Sequence, residues 1–304
     1  MATLLDFRRR IRTVKNTQQI TRAMKFVASV KLRRAQGAVF AARPYAKQIL
    51  RVLRSAESRI ENLTHPLLVH RPEKNILVIL VSGDKGLCGA FNSNVIRHGI
   101  EFLRAHEGVP AGIIAVGKKG RDALRKRKFD LLADYVNLHG NAHFGVAKEI
   151  AAKASELYAT GKVDAVYCIY NEFKNVISQR LMAEKVLPID PDEMFDKAAK
   201  RHADTATRDA HAVKPETAVD YIYEQSPEEI LGHLLPRYVE AQIFRVMIES
   251  IAAFNAAQMT AMDAATKNAS ELIDKVTLHM NKVRQAGITK EIIEVVSGAA
   301  SAGA

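Results

Sequence analysis

One loop of the chain has the position and part of the composition of a phosphate-binding loop. It runs from Ser82 to Asn92 with the sequence SGDKGLCGAFN, follows an apolar run typical of a buried strand, and precedes a predicted helix. Backbone N–H groups at such a place hold pyrophosphate in dinucleotide-binding folds. The glycines do not follow the GxGxxG spacing, however. The loop is therefore predicted to be a turn shaped by its glycines, and an enzyme that uses it is only a third possibility.

A second glycine-containing segment, Gly112 to Lys119, approaches the pattern of a phosphate loop. Its sequence, GIIAVGKK, departs from that pattern in one residue, because Lys119 stands where a Ser or Thr would bind magnesium. Its apolar residues also have the pattern of a strand. No nucleotide site is predicted here.

Metal-binding and nucleophilic residues do not form a recognisable constellation. His139 and His143 are four residues apart in a glycine-containing turn without a third ligand, which favours surface histidines. Cys88 and Cys168 lack a CxxC spacing, so they are predicted to be packing residues in a reducing compartment. No Ser, His and Asp arrangement or carboxylate pair indicates hydrolysis. We therefore predict no catalytic residue, no metal and no cofactor.

Basic residues dominate the charge of the chain. The formal net charge of +12 and the isoelectric point near 9.7 call for an acidic partner. Aromatic residues make up only 6% of the chain and Trp is absent, which disfavours a surface that stacks nucleic-acid bases. Most of the basic residues are thus assigned to solvated helix faces, an acidic protein is the second choice of partner, and DNA is the third. The clusters are Arg8–Arg10 with Arg12, the series from Arg22 to Arg34, and Lys118–Lys128.

These residues must be positioned by the secondary structure, and the longest predicted element is a C-terminal helix. From Pro236, which fits a first helical turn, to Gly298, where a helix commonly stops, the chain has no further proline and one interior glycine. Roughly sixty residues at about 1.5 Å each span on the order of 90 Å. A helix of this length needs a partner helix.

The N-terminal sixty residues supply that partner. Apolar residues recur at steps of three and four, which predicts a coiled-coil seam that pairs with the C-terminal helix in antiparallel orientation. Gln18, Thr21 and Lys25 interrupt the apolar seam, and they either set the register or face a different partner. Pro44 should kink or interrupt the helix. The seam consists of Leu4, Phe7, Ile11, Val14, Gln18, Thr21, Lys25, Ala28, Leu32, Ala35, Val39, Ala42, Ala46, Ile49, Leu53, Ala56 and Ile60.

Between the two long helices the pattern alternates between strands and helices. Strands are predicted at 76–81, 112–116, 163–170 and 177–187, and helices at 94–106, 120–128 and 144–158. This alternation predicts a mostly parallel, doubly wound, Rossmann-like α/β domain. The polar segment 190–220 is predicted to be an insertion or linker. The domains are thus an N-terminal coiled-coil helix (1–60), the α/β domain (74–225), a C-terminal coiled-coil helix (227–298) and a tail (299–304).

The sequence also indicates a location. The longest apolar run, Ile76 to Val81, has the length of a strand and not of a membrane span. The N-terminus lacks an apolar signal core, so a bacterial cytoplasmic chain is expected.

Several motifs together resemble one family, the gamma subunit of ATP synthase. The C-terminal segment from Ile288 to Ser301, ITKEIIEVVSGAAS, is similar to the family signature. Further similarity lies at 11–36, at the DKGLCG sequence of 84–89 and at 262–285, so the resemblance covers both ends and the strand loop.

The resemblance implies a role that the patterns alone do not give. The two terminal helices would form the central stalk inside a ring of alpha and beta subunits. The α/β domain would sit with the epsilon subunit on the membrane rotor (c) ring, at the cytoplasmic face of the bacterial inner membrane. The chain would transmit torque and would itself be non-catalytic, with an indirect membrane association and no nucleic-acid partner.

The resemblance also implies contact residues between rotor and stator. These are Met24 and Lys25 near the beta subunits, and Gln285, Thr289 and Glu291 on the protruding C-terminal helix. The family often has a charged Glu and Arg pair where this chain has 253–259, AFNAAQM, so no contact is assigned to Gln258.

The leading hypothesis is therefore a rotor subunit, and a basic coiled-coil protein associated with DNA is the alternative.

Overall fold

A computed structural model describes residues 3–57, 65–106, 111–138, 144–190 and 226–302. The chain divides into two compact units, one made of Met1–Val30 and Gln258–Ala304, the other of Lys31–Ala257. The predicted fold class, an α/β protein with long terminal helices, is confirmed.

The N-terminal helix, α1, spans Leu4–Glu57. It begins with a capping box, in which the Thr3 hydroxyl accepts from the Asp6 N–H at 3.3 Å and the Asp6 carboxylate accepts from the Thr3 N–H at 2.9 Å. The bonds that the carboxylate accepts from the Thr3 N–H and the Thr3 hydroxyl lower the pKa of Asp6. The predicted interruption at Pro44 is absent, because Pro44 lies inside the continuous helix.

The C-terminal helix, which we call α5, spans Pro227–Ala302. Its beginning is fixed by Ser226, whose hydroxyl accepts from the Glu229 N–H at 3.3 Å, by Pro227 in the first turn and by two acidic residues there. The placement of Pro236 in a first turn is wrong, since that proline lies inside the helix, whereas the domain boundary given at 227 coincides with the start of the helix. The predicted stop at Gly298 is also wrong. One glycine costs a helix only about 1 kcal/mol, and helix-forming alanines follow it.

Between these helices the described residues form one sheet of five strands in the order β3-β2-β1-β4-β5. Strands β3, β2, β1 and β4 are parallel to one another, and β5 is antiparallel to β4. The strands are β1 (Ile76–Val81), β2 (Ala111–Val116), β3 (Ala133–Tyr135), β4 (Ala165–Phe173) and β5 (Gln179–Leu187); the helices are α2 (Phe91–Ala105), α3 (Lys118–Lys126) and α4 (Phe144–Ala159), with a short 3-10 turn at Pro66–Leu68.

Helices cover both faces of the sheet. On one face, α2 and α3 pack against alternate residues of β1, such as Val78 and Leu80. On the other, α4 and the neighbouring parts of α1 and α5 pack against Leu77, Ile79 and Val81. The six residues of β1 are all buried, as a central strand covered on both faces requires. The sheet and these helix segments belong to the second unit, Lys31–Ala257.

The strand predictions were close, with one omission. β1 has the predicted bounds, whereas β4 begins two residues later than predicted and runs to Phe173, and β5 begins at Gln179. The three residues of β3 were not predicted, because so short a strand has no measurable periodicity. Residues 191–220 of the predicted polar insertion lie outside the described residues.

In the first unit, α1 and α5 pack as an antiparallel pair. Phe7 contacts His279 with ring centroids 5.1 Å apart, whereas Thr21 contacts Thr266, so residue numbers run in opposite directions along the two helices. Ala28 is fully buried, and Ala269 is 8% exposed. Small side chains at these positions let two helix axes approach closely. The predicted seam residues whose side chains the structure describes are buried or half-buried, while Ala46, Ala56 and Ile60 lie outside that description.

Candidate functional site

The glycine loop at the carboxyl end of β1 is filled by the protein's own side chains. The Asn92 side chain accepts from the Gly83 N–H at 2.8 Å and donates to the Lys85 carbonyl at 2.9 Å. A Cβ atom on Gly83 would lie 2.8 Å from the ring of Phe254, which itself packs edge-on against Phe91. The space through which a phosphate would approach the backbone is therefore taken by an aromatic ring.

The N-terminus of α3, next to this loop, is capped from within the chain. Asp84 accepts from the backbone N–H of Lys118 at 2.8 Å and of Asn137 at 3.1 Å. The Ser82 hydroxyl accepts from the Gly120 N–H at 2.8 Å. A carboxylate already stands where a helix N-terminus would bind an anion. This geometry supports the prediction of a structural turn and gives no support to a nucleotide site.

The cysteines have the environment of packing residues. Cys88 and Cys168 are 2% and 0% exposed. Burial raises the pKa of both thiols, so little thiolate is available for reaction. Within the described ranges no cluster of three or more His, Cys, Asp or Glu could hold a metal ion. His139 and His143 lie outside those ranges.

The basic clusters lie on accessible faces. Arg8–Arg10, Arg12 and Arg22 are exposed on α1, and most of the basic residues of 118–128 are exposed on and after α3. Acidic residues balance part of the α3 cluster, since Arg121 and Arg125 both contact Asp134, at 3.4 and 3.0 Å. These positions agree with solvated helix faces.

The polar residues of the α1 seam have partners within the first unit. The Thr21 and Thr266 hydroxyls are 2.9 Å apart, and Lys25 Nζ lies 2.6 Å from Asp263 Oδ1. The hydrogen bond from Lys25, followed by that from Lys267, lowers the pKa of Asp263. These contacts favour the interpretation that Thr21 and Lys25 set the register of the pair. A contact of Met24 or Lys25 with another subunit stays a prediction.

The last part of α5 presents its side chains to solvent. Residues 284–297 are all exposed, and they follow the part of α5 that packs against the first turns of α1. Gln285 and Thr289 are four residues apart and so share a helix face. The same face carries Ile292, which is 58% exposed, and Val296, which is 62% exposed. The predicted contacts Gln285 and Thr289 are thus set in an exposed apolar surface.

Glu291 lies at the border of that apolar surface. Helical periodicity puts it next to Ile288 and Val295, which are 50% and 71% exposed. On the opposite side, Lys290 and Glu294 form an ion pair at 3.5 Å. One side of this segment, which we call the α5 tip (residues 284–297), is therefore apolar with three polar groups, and the other is charged.

A further group of exposed apolar residues lies on α1 outside the predicted seam. Ile20, Phe26, Val27 and Val30 of α1 are 60%, 71%, 52% and 41% exposed. They are close to Met24 and Lys25 in the sequence, but they lie on the side of α1 opposite the seam to which Lys25 belongs. Contiguous apolar surface of this kind marks protein interaction sites. The sequence signal was available, since these residues are apolar yet stand outside the seam spacing.

No helix in the part of the chain that the structure describes is both long and apolar enough to cross a membrane.

The fold is shared with large rotary assemblies. A chain from an OSCP/F1/c-ring structure of the Euglena gracilis mitochondrial ATP synthase superimposes with a TM-score of 0.62, covering 98% of this chain and 94% of that one at 19% identity. A central stalk and c-ring structure of the Tetrahymena thermophila mitochondrial ATP synthase contains a chain that matches at 26% identity. The TM-score is 0.56, and the match covers 81% of this chain and 99% of that chain. The fold, two long helices with an α/β domain, is thus shared with chains of these ATP synthase structures.

Sequence comparison identifies the family. A family model described as ATP synthase matches residues 3–302. The ATP synthase gamma chain of Chloroherpeton thalassium is 46% identical over 306 residues, with 98% of each chain covered. That of Solibacter usitatus is also 46% identical, covering 99% of this chain and all of the relative. The chain therefore belongs to the ATP synthase gamma-chain family.

This membership confirms the predicted resemblance and makes the chain a non-catalytic subunit of an enzyme complex. The alternative of a DNA-associated coiled-coil protein finds no support among these relatives.

Proposed function

We propose that the chain is the rotor shaft of a proton-translocating ATP synthase and transmits torque between the membrane rotor ring and the catalytic ring. Family membership supports this role. The observation that carries it is the first unit, where α1 and α5 pair through a buried seam and the α5 tip extends with every residue of 284–297 exposed. An apolar face without an intramolecular partner is costly unless another protein surrounds it.

The α5 tip fits a bearing inside the ring of alpha and beta subunits. Its apolar side would slide against apolar residues on the inner surface of that ring. Gln285, Thr289 and Glu291 would make polar contacts that change as the shaft turns. Met24, Lys25 and the exposed apolar residues around them would meet the beta subunits further along the shaft. ATP would be made in the beta subunits, which the turning shaft drives through binding, synthesis and release.

The α/β domain would connect the shaft to the membrane. The domain would sit with the epsilon subunit on the c ring, and the c ring would supply the rotation. The Tetrahymena structure, which contains a central stalk and a c ring, supports this assignment. The chain would then lie at the cytoplasmic face of the bacterial inner membrane, and its association with the membrane would be indirect.

Reconstitution tests this function. Purified alpha and beta subunits should gain ATPase activity when the chain is added, because the shaft imposes the asymmetry that drives the catalytic cycle. An unrelated protein of similar positive charge serves as the control for electrostatic effects. If the alpha and beta subunits bind the chain and gain no more activity than with that control, the rotor function is wrong.

The DNA-associated alternative predicts a different result. Tight binding to duplex DNA that weakens steeply with salt, together with no effect on the alpha and beta subunits, would favour it.

A further inference from the structure

A buried ionic cluster joins α5 to the sheet within the second unit. Its centre is Arg245 on α5, which contacts Glu184 on β5, Tyr170 on β4 and Glu249 on α5. The guanidinium Nη2 donates to Glu184 at 2.8 Å, and Nη1 donates to the Tyr170 hydroxyl and to Glu249, both at 3.1 Å. The Tyr170 hydroxyl donates in turn to Glu184 at 2.9 Å. Arg245 thus binds two strands of the sheet at once.

The cluster is more buried than an ordinary surface ion pair. The side chains of Arg245, Glu184 and Glu249 are 18%, 8% and 14% exposed, and Tyr170 is fully buried. One carboxylate oxygen, Glu249 Oε2, is buried and has no hydrogen-bond partner among the described residues. Burial of three charged groups is expensive, and well-packed apolar residues of similar size are often as stable or more stable. Stability alone therefore does not explain why charged groups stand here.

The apolar contacts of α5 define the rotation of the helix about its own axis only weakly. Val239, Ile243, Val246 and Met247 bury this part of the helix against the second unit. Apolar burial is non-directional, so a helix held only in this way resists rotation about its own axis mainly through side-chain shape. Hydrogen bonds are directional, and a planar guanidinium that bonds to two strands fixes the helix at one angle.

We propose that Arg245 is a positioning residue that locks the rotational setting of α5 against β4 and β5, so that torque delivered to the α/β domain turns the shaft without slip. This inference rests on the proposed rotor function. It assigns the transfer of torque within the chain to one cluster of four side chains.

Arginine meets the geometric requirement better than lysine. Its Nε also donates to Gln242 at 2.9 Å, so four guanidinium N–H bonds point to acceptors on α5, β4 and β5. A lysine has three donors at a single point and cannot bond to acceptors spread in this way. Although burial opposes the charged form, attraction to Glu184, Tyr170 and Glu249 raises the pKa of Arg245 well above its ordinary value, so the cation persists.

The test uses the complete ATP synthase assembled with this chain. Arg245→Met should retain ATP hydrolysis but lower the number of protons pumped per ATP at least threefold, and Arg245→Lys should lie between Arg245→Met and the wild type. Arg237→Met is the matched control. Arg237 stands two turns earlier on α5, is 52% exposed and pairs only locally with Glu240 at 3.4 Å, so its loss should leave the ratio unchanged.

A second variant addresses the cost of leaving Glu184 and Glu249 buried without a cation. Arg245→Met combined with Glu184→Leu, Glu249→Leu and Tyr170→Phe replaces all four polar side chains of the cluster with apolar ones, which such sites tolerate. It should assemble and melt like the wild type, yet pump fewer protons per ATP. A normal ratio in this variant, or a proportional loss of pumping and hydrolysis, overturns the proposal. If the wild-type chain itself gives no activity, the rotor function fails instead.

Discussion

At the scale of single residues, close contacts explain why the glycine loop cannot be a nucleotide site. Phe254 fills the space in front of Gly83, and Asp84 caps the N-terminus of α3. The loop keeps the position of a phosphate loop, while the Gly83 N–H donates to Asn92 and the Lys118 N–H at the start of α3 donates to Asp84. The position of the loop after β1 alone therefore suggests nucleotide binding, and the side chains around the loop are needed to reject it.

The contact between Gly83 and Phe254 predicts a specific loss of stability. In Gly83→Ala the new methyl group would lie 2.8 Å from two ring carbons of Phe254 and 3.0 Å from the Asn92 amide oxygen. Because this ring is packed against Phe91, it cannot retreat freely, and we expect a loss of about 1–3 kcal/mol in the free energy of unfolding. Urea denaturation of the purified chain measures this loss.

The same loop contains the control. A Cβ on Gly86 would meet no heavy atom within 4 Å, so Gly86→Ala should leave stability nearly unchanged. Phe254→Leu should partly relieve the clash in the double variant. Equal stability of the two alanine variants would contradict the packing argument.

At the scale of elements, the half-buried polar layer of the first unit should set the register of α1 and α5. Lys25→Glu and Asp263→Lys should each lower the melting temperature, because each places like charges where an ion pair of 2.6 Å now stands. The combined charge exchange should recover most of the loss. Both side chains are more than one-third exposed, at 43% and 35%, so the effect should be modest and weaker at high salt.

The pH dependence of stability in acid tests the same ion pair. Hydrogen bonds from Lys25 and Lys267 lower the pKa of Asp263 in the folded state. The pair therefore stabilises the fold above the ordinary pKa of an aspartate, about 4, and this contribution disappears as the pH falls through the lower folded value. The difference in melting temperature between the wild type and Asp263→Asn should shrink in acid. A constant difference from neutral pH down to pH 2 would exclude the ion pair as its cause.

Local patterns predicted most of the elements because their causes are local. The strand β1 follows from six consecutive apolar residues, and the α1 seam follows from a regular spacing that includes the fully buried Ala28. Pro236 fits a first turn by sequence but does not mark the start of α5, because Ser226 and Pro227 carry a complete N-terminal signal at the boundary given for the C-terminal domain.

Partners distant in the sequence could not be predicted. Lys25 finds Asp263, and Arg245 finds Glu184, only after the chain has folded. Glu184 occupies an alternate position of a strand, where a sequence pattern indicates a side chain in solvent. The structure instead buries it beneath α5, so the ionic cluster had no signal in the sequence.

At the scale of the whole molecule, the proposed rotor function requires surfaces that other chains would cover. The α5 tip and the exposed apolar residues around Met24 have no packing partner in the described chain. Surfaces of this kind are hard to predict from the sequence. A site that acts on a substrate has residues of special chemistry, whereas a bearing consists of ordinary isoleucines and valines at exposed positions.

The polar residues in the α5 tip give the final prediction. Thr289→Ala combined with Glu291→Ala should weaken the coupling of proton flow to ATP synthesis while the fold is unchanged. The two side chains are exposed, and the bond from Thr289 to the Gln285 carbonyl is local, so their loss should alter stability by about 0.5 kcal/mol or less. Proton-driven ATP synthesis by the reconstituted complex measures the coupling. Lys290→Ala combined with Glu294→Ala removes the ion pair on the opposite side of the same helix and should have a smaller effect. Because both double variants remove exposed polar groups from the same two turns, a difference between them reports which side faces the stator. Normal synthesis in the first variant would exclude Thr289 and Glu291 as contacts and leave the bearing to the apolar residues alone.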